Sequence, residues 1–186
     1  MASPLPLRLA ARVVVLDPAG RVLLLRYDDP PPNGVHWVTP GGGLDAGEEP
    51  PHAALRELAE ETGWTDVALG RELGHGERVL EHSGRLVRQC EVHYMARVDV
   101  ARRAVGTAGH AADKISAWRW WTPAELTATN ERLLPAHLVE LVDRAAACCR
   151  RPSRAAVSCW ASGRPNFPRP DRWMPPQGVP RCDAKV

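Results

Sequence analysis

Several absences narrow what this chain can be. No stretch approaches the roughly 18–20 apolar residues that a bilayer-spanning helix needs, so no membrane partner is expected. The N-terminal MASPLPLRLAARVVVLD has a short apolar run but neither a secretory core nor a clear cleavage site. The five cysteines, Cys90, Cys148, Cys149, Cys159 and Cys182, are odd in number and contain no C-x-x-C pair. They suggest neither a zinc site nor a disulfide framework and fit a reducing, cytoplasmic compartment. The seven histidines show no metal-like spacing, and each reads as a surface or hydrogen-bonded side chain. There is no internal repeat. The net charge of +2 singles out no class of partner.

What is present is unevenly spread. Residues 150–186 hold eight Arg/Lys against two Asp, and seven of the eighteen prolines, with no helical or strand periodicity. The expected division is therefore a folded domain over 1–149 and a disordered Pro/Arg-rich tail over 150–186. The tail reads as an appendage without catalytic role, the alternative being a basic arm on nucleic acid or another acidic surface. It is too short and irregular for a helix-turn-helix, so nucleic acid is not the expected partner.

Within 1–149 the pattern alternates strands and helices. Leu7–Leu16 and Arg21–Tyr27 flank the turn signal Asp17-Pro18-Ala19-Gly20 and read as a hairpin. Asp28–Gly34 (DDPPPNG) is a loop, because its prolines remove backbone donors. A short strand, His36–Thr39, leads into a glycine loop at Pro40–Gly43. A helix starts at Pro51 or His52 and stops at Gly63. Strands follow over Val67–Glu77 and Leu86–Val100, with Gly84 as a turn, then a loop at 101–113 and a strand at Ile115–Trp121. Thr122, Pro123 and Glu125 form a capping box, and Leu133–Cys149 reads as an amphipathic helix.

The chemistry lies in the 23 residues from Gly42 to Trp64, GGLDAGEEPPHAALRELAEETGW. Glu57, Glu60 and Glu61 stand at i, i+3 and i+4, on one helix face, where like charges repel. Oxygen-only ligands so clustered suit Mg²⁺ or Mn²⁺. The bland alternative, a solvated acidic helix, leaves the neighbouring glycines and arginine unexplained.

The whole run resembles the Nudix box, G-x5-E-x7-R-E-U-x-E-E-x-G-U with U bulky and apolar. Gly42, Glu48, Arg56, Glu57, Leu58, Glu60, Glu61, Gly63 and Trp64 fill its fixed positions. The resemblance implies an α/β fold, the Nudix-type α/β/α sandwich with a mixed central sheet. It implies a loop carbonyl, here that of Gly41, and Glu57, Glu60 and Glu61 as metal ligands, with Gly42 and Gly43 lining the substrate. Arg56 and Glu48 are expected to pair and hold the loop against the helix. Many members add an acidic residue before the last strand. Here Asp113 is the match, and the base is left open between Asp113, Glu60, and Glu77 or Glu81. Trp37, in the family's W-x-x-P-G-G context, is expected to pack rather than stack on a base.

The implied activity is metal-dependent hydrolysis of the pyrophosphate bond in a nucleoside diphosphate linked to another group. Candidate substrates are nucleoside triphosphates, ADP-ribose-like compounds and dinucleoside polyphosphates. Rivals are a non-catalytic nucleotide-binding or regulatory module and, on the same fold, a prenyl diphosphate isomerase that would need a reactive cysteine such as Cys90. A homodimer is among the assemblies left open.

Overall fold

A computed structural model describes residues 4–99 and 114–150. The loop expected at 101–113, with Asp113, and the tail expected beyond 150 lie outside the described residues.

Ten residues of β1 (Leu7–Leu16) form the centre of a mixed sheet. The strand meets β2 (Val22–Asp28) through the expected turn, where Asp17 accepts from both the backbone N–H and the Nε of Arg21. Only Leu16 and Val22 pair directly. Beyond them the two strands separate, and the following chain fills the gap: β3 (Val35–Val38) pairs antiparallel with β2, and β4 (Gly41–Gly43) pairs antiparallel with β1. The segment expected to be a glycine loop is thus a short strand. With no side chains to hold off its neighbour, it lies directly on β1.

After helix α1 (Pro50–Thr62) come the long strands β5 (Leu69–His82) and β6 (Arg85–Arg97), a hairpin with Ser83 and Gly84 at its turn. Strand β6 pairs parallel with β1 over the whole length of β1, from Leu7↔Arg88 to Leu16↔Arg97. Strand β7 (Ile115–Trp121) pairs with the free side of β2. Thr122 then caps α2 (Pro123–Ala128) in a complete capping box with Glu125. The helix expected from Leu133 begins only at Leu138. Pro135 offers no backbone donor, so Leu133–Leu134 instead extends the sheet as β8, parallel to β3, and α3 follows at Leu138–Arg150.

Strand alternation sends successive β1 side chains to opposite faces. Ala11, Val13 and Val15 pack with Ala53, Ala54 and Leu58 of α1. Val14 and Leu16 pack with Leu138, Leu141, Val142 and Ala145 of α3. Two helical layers therefore cover one mixed sheet, the expected α/β/α sandwich. Trp37 is buried edge-on against Trp121, with ring centroids 5.2 Å apart, as a packing residue. Among the described residues no helix is long and apolar enough to cross a membrane.

Candidate active site

The phase of α1 is set from both ends. Pro50 and Pro51 occupy its first turn, where a missing donor costs nothing, and Gly63 stops it with φ 76°, donating to the Ala59 carbonyl at 2.8 Å. Burying Ala54 and Leu58 against the sheet turns Glu57, Glu60 and Glu61 towards the β3–β4 segment to different depths. Glu60 is exposed, Glu57 half-buried and Glu61 only 2% exposed.

Glu61 is held from two sides. One carboxyl oxygen accepts from the Tyr27 hydroxyl at 2.6 Å, the other from the Gly41 N–H at 2.8 Å. Burial pushes its pKa up to about 7, although those two hydrogen bonds and the nearby Arg12 act in the opposite direction. Glu57 is also pushed up by burial, with Arg56 opposing. Gly42 lies so close to Glu57 that a Cβ there would stand 2.4 Å from its carboxyl carbon.

Arg56 ties this face together. Its Nε and Nη2 each donate to a Glu48 oxygen at 2.9 Å, and Nη2 also reaches the Gly43 carbonyl at 2.9 Å. Nη1 donates to Glu57 at 3.0 Å and to Glu60 at 3.3 Å. Glu48 additionally accepts from the Asp45 N–H at 2.9 Å. The fork from Arg56, followed by that N–H, draws the Glu48 pKa down to about 2. Arg56 thus joins Glu48, the Gly43 backbone and two glutamates.

Among the described residues, no three acidic, histidine or cysteine side chains converge into a preformed cation cage. Glu57 and Glu60 turn to Arg56, and Glu61 to Tyr27 and Gly41. The donor set nevertheless fits a hard divalent cation: all oxygen, with one carboxylate buried to the point of resisting ionisation.

Three residues here went unnoticed in the sequence. Arg12 crosses the sheet beneath the site, Glu91 pairs with it at 2.9 Å, and Tyr27 holds Glu61. An arginine inside the otherwise apolar stretch Leu9–Leu16 was the available signal for Arg12. Among the other base candidates, Glu77 faces Arg88 at 3.5 Å, and Glu81 has its backbone N–H and carbonyl tied to the Asn33 amide.

The histidine expectation fails at two positions. His93 and His137 meet edge-to-face at 5.7 Å, and both ring nitrogens of His93 and Nε2 of His137 are buried without a hydrogen-bond partner. Burial pushes the His93 pKa down to about 4, so the ring is neutral at neutral pH.

Beside the site lies a cavity of about 280 Å³, between the loop after β2, the β5–β6 hairpin and the β8 region. His36, Arg78 and Arg132 are in its wall, with Leu80, Leu86 and Leu134. His36 stacks on Tyr27 with centroids 5.6 Å apart, so the side chain that holds Glu61 packs directly on a residue of the cavity wall.

The family profile of the NUDIX domain matches residues 6–142. An RNA pyrophosphohydrolase of Acidiphilium cryptum is 30% identical over 131 residues, covering 64% of this chain and 77% of that protein. One of Brucella ovis is 42% identical over 73 residues, 37% of this chain but only 41% of its own length. A MutT protein from Methanosarcina mazei Go1 superposes with a TM-score of 0.59 at 19% identity, covering 81% of this chain and all of the other. A C. elegans Ap4A hydrolase does so at 0.54 and 22%, covering 77% and 98%. At these identities the structural likeness speaks for the fold.

Proposed function

The chain belongs to the NUDIX domain family, and from that premise we propose that it is a metal-dependent pyrophosphohydrolase. Its substrate is a nucleoside diphosphate linked to another group. The observation that carries the proposal is Glu61: a carboxylate buried on a helix face with two other glutamates, its pKa raised to about 7. A fold gains nothing from burying such a group alone, whereas a divalent cation would compensate it.

The ligands for Mg²⁺ or Mn²⁺ are Glu57, Glu60, Glu61 and the Gly41 carbonyl. When bound, the ion lowers the pKa of water and neutralises pyrophosphate charge. The protein's own part is to hold these groups. Tyr27 and the Gly41 N–H orient Glu61; Arg56, anchored by Glu48, fixes the Gly43 carbonyl and keeps the β4 segment on α1. Gly42 and Gly43 would present bare backbone to the substrate phosphates, with the Glu57 carboxyl directly against Gly42 and the Arg8 guanidinium against Gly43. Glu60, exposed and least constrained, would either hold a second ion or act as the base; Asp113 is the other candidate for the base. The cavity walled by His36, Arg78 and Arg132 receives the group attached to the pyrophosphate.

The similarity to RNA pyrophosphohydrolases adds 5′-phosphorylated RNA to the candidate substrates. A panel of nucleoside triphosphates, ADP-ribose, dinucleoside polyphosphates and 5′-triphosphorylated RNA, with Mg²⁺, tests the activity. Wild type should release a phosphate-bearing product, and Glu61→Gln should lose about 100-fold or more in kcat. Equal activities would refute the assignment. A wild type that is stabilised by a nucleotide but turns none over would favour the binding-module alternative.

A further inference from the structure

Arg12 is the anomaly of β1. It stands in the stretch Leu9–Leu16, which is otherwise apolar, lies on the same side of the strand as Val14 and Leu16, and is 6% exposed. A buried ion pair contributes little stability over well-packed apolar side chains, so its presence needs another reason. Its hydrogen bonds supply one. Arg12 Nη1 donates to the Thr39 carbonyl at 2.8 Å and to the Gly41 carbonyl at 3.0 Å, while Nε donates to Glu91 at 2.9 Å. Those two carbonyls flank Pro40, where the chain crosses from β3 to β4. Glu91 in turn is 2% exposed and accepts on one oxygen from Arg12, from Arg78 at 3.2 Å and from Gln89 at 2.6 Å.

Gly41 is therefore gripped through both of its backbone polar groups. Its N–H donates to Glu61 and its carbonyl accepts from Arg12. Gly41 has no freedom to drift, since even a Cβ would stand 2.2 Å from the Ala11 carbonyl oxygen, and its φ of 134° excludes other residues. One lone pair of the carbonyl takes Arg12, leaving the other for a second partner.

We propose that Arg12, held in place by Glu91, is a positioning residue for the candidate cation site. It sets the direction of the Gly41 carbonyl and, through the N–H of the same residue, the placement of Glu61. The inference rests on the cation reading above and assigns its precision to a buried pair on the far face of the sheet.

The test is Mn²⁺ titrated into the metal-free protein, with free ion read by electron paramagnetic resonance. Variants are Glu91→Gln, which keeps the shape, and the double variant Arg12→Met with Glu91→Gln, which removes both charges together so that neither is buried alone. Circular dichroism checks folding. Both should bind Mn²⁺ about 10- to 100-fold more weakly than wild type, while KM for a nucleotide substrate changes little. A structural role alone would lower the unfolding midpoint and leave Mn²⁺ affinity unchanged. Folded variants that bind Mn²⁺ within about twofold of wild type overturn the inference and leave the proposed function standing. A wild type that binds no Mn²⁺ overturns both.

Discussion

Replacing Glu61 with Gln in the metal-free protein should change how stability depends on pH. The unfolded carboxyl titrates near 4.5, the folded one near 7, because it is buried. Between those values the folded protein keeps a proton that the unfolded chain has released. The stability contributed by Glu61 is therefore complete below pH 4.5 and is lost as pH rises through 7. At about 1.4 kcal/mol per pH unit, the loss amounts to about 3 kcal/mol. His93 works against it: its pKa falls from 6.5 to about 4 on folding, so its contribution grows with pH across that window. The raw stability curve is flattened by this opposition, and only the difference between wild type and Glu61→Gln isolates the carboxyl. Urea unfolding in EDTA at steps from pH 4.5 to 8 measures it. The wild-type advantage should shrink by about 3 kcal/mol across the range. A difference constant to within about 1 kcal/mol would mean that Glu61 is not held protonated by burial, and the argument for a cation-compensated carboxylate would fail with it.

Gly42→Ala places a methyl where the Glu57 carboxyl now lies, 2.4 Å away. That carboxyl ends a flexible side chain, so it should move aside at little cost in stability while kcat falls about 10- to 100-fold; unaltered kcat would show that the placement of Glu57 is unimportant. Leu58→Ala, at a fully buried position between the glutamates, should destabilise by about 2–5 kcal/mol in urea unfolding, and a smaller loss would mean that α1 packs more loosely than described.

The legible parts of this protein were local. The hairpin at β1 and β2, the end of α1 at Gly63 and the capping box at Thr122 each depend on residues within a few positions of one another. The Arg56–Glu48 contact is likewise local, closing over eight residues. Errors arose where distant partners intervened. Leu133 and Leu134 carry the apolar spacing of a helix, yet the exposed edge of β3 takes them as a strand, with Pro135 barring the helix from starting earlier. His93 and His137 looked unremarkable because nothing in their spacing foretold that the sheet and the start of α3 would bring them edge to face.

The chain's own spacing was sufficient for the carboxylate face of α1, since helix geometry alone aligns positions 57, 60 and 61 and puts Leu58 behind them. Helix geometry could not reveal how deeply each glutamate is buried or what holds it. Tyr27 reaches Glu61 from 34 residues away, and Glu91 reaches Arg12 from 79. Those meetings exist because β1 and β2 part after Leu16 and Val22, opening the gap that Thr39 to Gly43 fills, and because β6 returns parallel beside β1. Strand alternation marks Arg12 as facing inward, but only the packing of β6 against β1 supplies the carboxylate that makes its burial tolerable.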